Sequence, residues 1–561
     1  MKRILLCAAT LVITPLVLSA EETQEDKIVL PEITTTVSGD SLVAGKEAVP
    51  DFSDLLPSSK NGAPLPKLPG VKSGVPEEEP VADFSVLSEK NLYAEGLIGA
   101  GLPGYFAGDF SIYKTSGSEP FSLDFSHHSQ DGFGRHSAVN GYFTSETKLS
   151  GKKTFAWDKI TLKMEGLYDS SKYGLQEKST AFHDLSNRTV SGGAELEWKL
   201  PHHFYAGTSF GIEWYSRYGS KVKDSAASLL PQEKDTDITQ LVPALYAGWK
   251  DYGVDIKFSA AYLHEAMWAA DAQYDTSSGD KVLVHPADNT FGAQRFNAGL
   301  SVDWKHSFFE LGLSGGVVTG NAVGDNGAVP VFCLKTKMDF NIGEAGLPLS
   351  IKLAGGLDSY HKTCSEFEKN FLFTTQPFLF QESTDWFAKI NMNIPLGKRF
   401  VLDAGTEFRK TAFSNGVWEA DYSNAAATEL YSAECISRTI LASNAKLSFV
   451  WKIFTVDFTW ENNLIHVPSN ECSNRFGVNL NFQSEDAKWG FNAGAFEETG
   501  DADDWWPVIN AGVFYKVRDS IRLACEIDDA VKLISGSDRD YGKTVYIKKA
   551  GSAKVLVRFF F

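Results

Sequence analysis

From Asn91 to the C-terminus, hydrophobic and polar residues alternate with a period of two. Phe296, Ala298, Leu300, Val302 and Trp304 interleave with Asn297, Gly299, Ser301, Asp303 and Lys305. Phe204, Ala206, Thr208, Phe210, Ile212 and Trp214 interleave with Tyr205, Gly207, Ser209, Gly211, Glu213 and Tyr215. Successive side chains of a strand point to opposite faces, so each such segment builds one apolar and one polar wall. The pattern predicts an all-β chain. Walking from turn to turn gives strands from 91–101 to 547–561, about 22 in all within a range of about 18–24. An even count puts both ends of the array on one side.

Alternation alone does not separate a transmembrane antiparallel β-barrel from a soluble sandwich; the connections do. Short turns at 201–203, 251–253, 305–307, 343–346, 396–399, 484–487 and 518–520 alternate with long polar loops at 217–236, 265–292, 359–383, 411–436 and 529–545. That rhythm predicts a membrane barrel, with short periplasmic turns and longer external loops. Trp198, Trp249, Trp304, Trp451 and Trp489 stand beside short turns in the apolar phase. Indole keeps its ring in the apolar zone and its N–H near water, so these five are candidates for an interface girdle. Inward phases carry charge instead: Glu195, Glu197, Asp303, Lys305, Lys335, Lys337, Arg409, Arg522 and Glu526 are candidate lumen-facing residues. Lys or Arg on the lipid face at the membrane midplane costs about 2–4 kcal/mol. Both signs occur in similar numbers, which predicts a hydrated wall without strong ion selectivity.

Composition then narrows the class. The chain has 561 residues, 13% of them aromatic, with 48 Gly and a formal charge of −18. No stretch after the N-terminus has eighteen consecutive apolar residues, which excludes a helical membrane bundle. The acidic balance excludes nucleic acid as a partner, since phosphate neutralisation needs a basic patch. Residues 1–20 read as a cleaved signal peptide: Lys2-Arg3, an apolar run to Leu18, then Ser19-Ala20. Residues 21–90 hold eight prolines and an acidic surplus, which predicts a disordered periplasmic tether before a barrel domain at 91–561. Within the tether, Ile28, Val29, Leu30, Pro31, Glu32, Ile33, Thr34, Thr35, Thr36 and Val37 form a β-prone island able to add to a partner's sheet edge. Five cysteines remain after the leader, with no CxxC, so no metal site is expected. Cys364, Cys435 and Cys472 fall in outward loops, where an oxidising compartment permits one disulfide.

The last strand places Val555, Val557, Phe559 and Phe561 on one face. A terminal Phe with apolar residues at every second position resembles the assembly signal of bacterial outer-membrane β-barrels, and implies the outer-membrane assembly machinery as a partner. The strand count and the Ile28–Val37 island resemble a TonB-dependent receptor with its coupling box. That likeness implies a periplasmic energy-coupling partner. Ser38 to Lys90 is too short and too rich in Pro and charge for that family's folded plug, so the resemblance is to a plugless relative.

No catalytic constellation or cofactor motif emerges. His127-His128 point to opposite faces, and Gly132-Phe133-Gly134 has no helix to present phosphate-binding amides. The expected function is an outer-membrane channel or receptor for a small hydrophilic solute, not an enzyme. Two alternatives are an adhesin-like interaction barrel and a long-chain fatty-acid-type transporter; the charged inner phase argues against the latter. A wide barrel needs narrowing, expected from inward-folded loops such as 265–292 or 411–436, with the tether left in the periplasm.

Overall fold

The computed structural model describes residues 92–114, 119–131, 143–174, 182–221, 236–269, 273–275, 282–285, 290–306, 309–320, 328–341, 349–371, 382–411, 417–425, 431–466, 473–499, 507–536, 538–540 and 548–561. The leader, the tether and the Ile28–Val37 island lie outside them.

Strands β1 (Tyr93–Leu102), β2 (Tyr105–Lys114), β3 (Phe121–Asp131), β4 (Phe143–Ala156), β5 (Ile160–Gly174), β6 (Phe182–Lys199), β7 (Phe204–Lys221), β8 (Thr236–Asp251) and β9 (Val254–Ala269) follow one another as a meander. A hairpin of β10 (Gln273–Asp275) and β11 (Val282–His285) interrupts it. The meander resumes with β12 (Thr290–His306), β13 (Phe309–Thr319), β14 (Ala328–Asn341) and β15 (Ser350–His361). Helix α1 (Cys364–Asn370) leads into β16 (Glu382–Leu396) and β17 (Phe400–Thr411), and a second hairpin pairs β18 (Val417–Ala425) with β19 (Tyr431–Ile436). The array ends with β20 (Thr439–Trp451), β21 (Phe454–Asn463), β22 (Asn474–Gln483), β23 (Trp489–Thr499), β24 (Val508–Arg518) and β25 (Ile521–Asp528). Helix α2 (Ala530–Ser535) and the pair β26 (Asp538–Asp540) and β27 (Lys548–Ala550) precede β28 (Ser552–Phe560).

Twenty-two of these strands form one antiparallel sheet. It closes where β28 pairs with β1, from Glu95 opposite Phe560 to Leu102 opposite Ala553. Phe561 finishes the seam: its N–H donates to Ala94 O at 2.8 Å. Closure leaves no barrel edge for another chain to pair with. The helices are short, and none among the described residues is long and apolar enough to cross a membrane.

Register sorts the two walls. Leu300 is opposite Phe258 on one neighbour, and Val302 is opposite both Ile256 and Leu313. These apolar residues lie on the outer wall and are open to the surroundings: Leu245 is 63% exposed, Phe258 53% and Leu300 50%. On β7 the outward apolar run from Phe204 to Trp214 takes ten steps. At ~3.3 Å per residue and a tilt of about 40°, that is roughly 25 Å, the height of a transmembrane barrel's apolar band.

Most connections at one end are tight. Tyr252 and Gly253 have φ of 48° and 78° between β8 and β9. Both positive values mark a two-residue hairpin turn that matches strand twist, and glycine takes the second site at no steric cost. At the other end most connections are long and carry α1, α2 and the small hairpins.

Candidate functional site

The inner wall is a ladder of paired charges. Glu195 accepts from Lys163 Nζ at 3.0 Å and from the Tyr246 hydroxyl at 2.8 Å. Lys305 lies 2.7 Å from Glu310, with Lys337 on the same carboxylate at 3.8 Å. Lys335 pairs with Asp358 at 2.9 Å. Arg409 bridges Glu407 at 2.7 Å and Asp385 at 3.8 Å. The Arg522 guanidinium stacks 3.7 Å from the Phe514 ring centre. Glu526 is opposite Lys554 and Gly512 in register, Glu197 opposite Thr161 and Gly207, and Asp303 opposite Asp255 and Gly312. Opposite charges on adjacent strands attract across about 5 Å, but like charges also face each other, Asp303 opposite Asp255 and Arg522 opposite Arg558 and Lys516.

At the long-loop end a helix packs against the inner wall. Helix α1 follows β15 yet contacts inner-phase residues of β7, β8 and β9, with β12, β13 and β14 lying between in the sheet. Its start is fixed twice. Thr363 Oγ1 accepts from Glu366 N–H, and Glu366 returns a carboxylate to Thr363 N–H at 2.9 Å, a reciprocal capping box. Glu265, fully buried on β9, then accepts from Cys364 N–H at 3.2 Å and Ser365 N–H at 3.3 Å. Gln240 on β8 donates to Glu265 at 2.9 Å and to Ser365 Oγ at 2.7 Å.

The other end of α1 is held by charge. Glu368 is fully buried and lies 2.9 Å from Arg217 Nε, whose side chain is also sealed from solvent. Tyr215 donates its hydroxyl to the same carboxylate at 3.4 Å, and Lys369 reaches Glu213 at 2.7 Å. Around these pairs Tyr215, Ile238, Cys364, Phe367 and Phe371 form an apolar cluster. Two charges buried together are tolerable only when they pair, so the Arg217–Glu368 contact fixes how α1 docks. Cys364 carries a free thiol; burial, then the Glu265 carboxylate beside it, push its pKa well above the ordinary value.

A second loop meets the first. Trp418 on β18 packs against the α1 cluster. Glu419, also on β18, accepts from Arg438 Nη1 at 3.0 Å and contacts His466 Nε2 at 3.3 Å, which ties the β18–β19 hairpin to the loop after β21. Described residues of the 411–436 loop thus meet the α1 segment at the long-loop end, and 362–371 was not singled out for this from the sequence. The signal was there: Thr363-x-x-Glu366 followed by Phe367 and Phe371 spells a capped helix with two apolar residues on one face.

Other candidates fall elsewhere. Trp198, Trp304, Trp451 and Trp489 are exposed on the outer wall beside short turns, and Trp249, half-buried, shares their level. Trp214, Trp386 and Trp460 lie outward near the long-loop end and make a second aromatic level, which the apolar phase of their strands could have revealed. Val555, Val557, Phe559 and Phe561 line the outer face of the closing strand, with the two Phe rings stacked at 6.4 Å. Cys333 and Cys525 sit within β14 and β25, and Cys472 is outside the described residues.

No model of a known protein family matches the chain, and no curated protein sequence matches it. Solved structures do. The FrpB iron transporter from Neisseria meningitidis (F5-1 variant, apoprotein form) superposes with a TM-score of 0.59 at 9% identity, over 85% of this chain and 82% of that one. The siderophore receptor PirA from Acinetobacter baumannii gives 0.57 at 9% identity, over 84% and 81%. The copper transporter OprC gives 0.59 at 10% identity, over 84% and 81%. At such identity the likeness is one of fold.

Proposed function

We propose that this chain is an outer-membrane transporter or receptor that takes up a small hydrophilic solute through a lumen narrowed by its own loops. The long-loop end faces outward, and the short turns face the periplasm. The observation that carries this reading is helix α1, held by Glu265 and the Arg217–Glu368 pair against the inner wall at the long-loop end of a 22-stranded barrel whose inner phase carries charge. The similar structures, iron, siderophore and copper transporters or receptors, support the same class.

In this proposal residues 1–20 are a removed leader and 21–90 a plugless tether. Ile28–Val37 is the segment that pairs with a periplasmic energy-coupling protein. Val555, Val557, Phe559 and Phe561 are read by the outer-membrane assembly machinery, and the outward Trp levels contact lipid. A second reading, a surface interaction platform, has one observation in its favour: Leu464 and Ile465 on the loop after β21, and Ile534 on α2, are exposed apolar residues, the last at 86%.

Swelling of vesicles reconstituted with the full chain separates the two. A transporter admits small neutral solutes at a rate that falls with solute size, whereas a platform leaves the vesicles as tight as lipid alone. In cells, deleting residues 21–80 should leave passive permeation nearly unchanged and abolish energy-dependent uptake. A large rise in permeation after the deletion would show instead that the tether fills the lumen.

A further inference from the structure

The inner wall is not chemically uniform. Across β22, β23 and β24 it presents carboxamides. Asn481 is directly opposite Asn492, Asn479 is opposite Gly494, and Gly494 is opposite Asn510. Asn492 is opposite Gly512 on its other side. A second pair flanks Gly405, with Asn391 on β16 and Asn444 on β20. A methyl group at Gly494 would meet the Asn479 amide oxygen, one at Gly512 that of Asn492, and one at Gly405 those of Asn444 and Asn391, so each would push an amide from its present place. The amide oxygens of Asn391, Asn444, Asn479 and Asn492 each lie against a neighbour that has no side chain.

These amides differ from the paired charges elsewhere on the wall. Among the described residues, Asn391, Asn444, Asn479 and Asn492 make no side-chain hydrogen bond to another residue. Asn510 is engaged, accepting from Asp529 N–H at 3.0 Å. The β22–β24 patch is framed by two rings: Phe496 on the loop side, with Arg475 stacked at 4.3 Å, and Phe514 on the turn side, with Arg522 at 3.7 Å.

We infer that this strip is a binding site for an uncharged, hydroxyl-rich solute of the saccharide class, the substrate class of the transporter proposed above, on which reading this inference rests. A carboxamide offers two N–H donors and an oxygen with two lone pairs, without net charge. Hydroxyl groups both donate and accept, so a row of free amides matches a row of hydroxyls. An anionic solute would lose water at this strip and gain no cation from the amides themselves. Sites built to hydrogen-bond hydroxyls discriminate strongly against ligands that lack them, because their polar groups are then left unpaired.

Equilibrium dialysis of the purified full chain tests the site with maltotriose and tri-N-acetylchitotriose as neutral probes, and with trigalacturonate and a polyethylene glycol of similar mass as controls. At least one neutral trisaccharide should bind saturably, and neither control should. The double variant Asn479→Leu/Asn492→Leu should weaken that binding by about tenfold or more, as two lost hydrogen bonds predict. Gly494→Ala/Gly512→Ala, which leaves every amide in place but displaces two, should weaken it in the same direction. Heat-modifiable mobility confirms that each variant is folded. Failure of both neutral probes to bind, tighter binding of trigalacturonate, or unchanged affinity in both double variants would overturn the inference. Vesicle swelling reads the transporter reading separately: vesicles that swell while no saccharide binds sink only the substrate class.

Discussion

A residue's phase decides what it touches in this barrel, and neighbours in sequence live in different media. Leu300 is half exposed on the outer wall, while Ser301 faces Lys257 and Ser314 on the inner one. Leu300→Arg should therefore destabilise folding into lipid by about 2–4 kcal/mol, and Ser301→Arg should cost far less. Equal shifts in a urea titration of the folded barrel would contradict the assigned register. The phase was legible from the period-two pattern, since it depends only on local backbone geometry. The partner of Glu265 was not legible, because the amides of Cys364 and Ser365 lie about a hundred residues further along and reach it only through the path of a loop. The buried Cys364 thiol reports on that contact. It should resist iodoacetamide at pH 8 in the native chain, because its raised pKa keeps it protonated and α1 covers it. Glu265→Ala should expose it, as peptide-resolved mass spectrometry would detect; rapid labelling of the native protein would count against the docked helix.

Elements differ in how much of their stability they carry themselves. Seven residues are too few for a helix to persist alone, so α1 depends on its caps and its buried partners. Glu368→Ala would leave the Arg217 guanidinium buried without its carboxylate, a loss of about 3–5 kcal/mol. The amide of Phe371, which donates to Phe367 O at 2.9 Å, should then exchange its proton much faster while strand amides stay protected. Unchanged protection would mean that apolar contacts alone hold α1. The closing strand has a different dependence. Its outward face stacks Phe559 on Phe561, so replacing both with Ser should lower the yield of heat-modifiable barrel in membranes. Strands and turns were legible in the sequence, although β6 begins at Phe182, seven residues before the expected 189, and β7 runs on to Lys221, five past the expected 216. The extension is mostly polar and its Leu185 is buried on the inner phase, so it does not continue the outward apolar alternation that marks the strand.

The whole molecule combines a circumference set by many similar strands with a mouth set by two unlike loops. Strand number, antiparallel order and closure follow from repeated alternation and turn spacing, and 22 strands enclose a lumen far wider than side chains fill. Which loop folds inward does not follow from such repetition. It depends on a few buried pairs distant in sequence, here Glu265 with the start of α1 and Arg217 with Glu368, and on Trp418 arriving from the next long loop. The central claim is that this mouth narrows a water-filled passage. Single-channel conductance in a planar bilayer tests it most directly, comparing the full chain with a variant in which residues 364–371 are replaced by a Gly-Ser linker. The account predicts small or rare openings for the full chain and a conductance several-fold larger for the variant. Identical conductance in the two, or two silent proteins that are both folded and inserted, would contradict it.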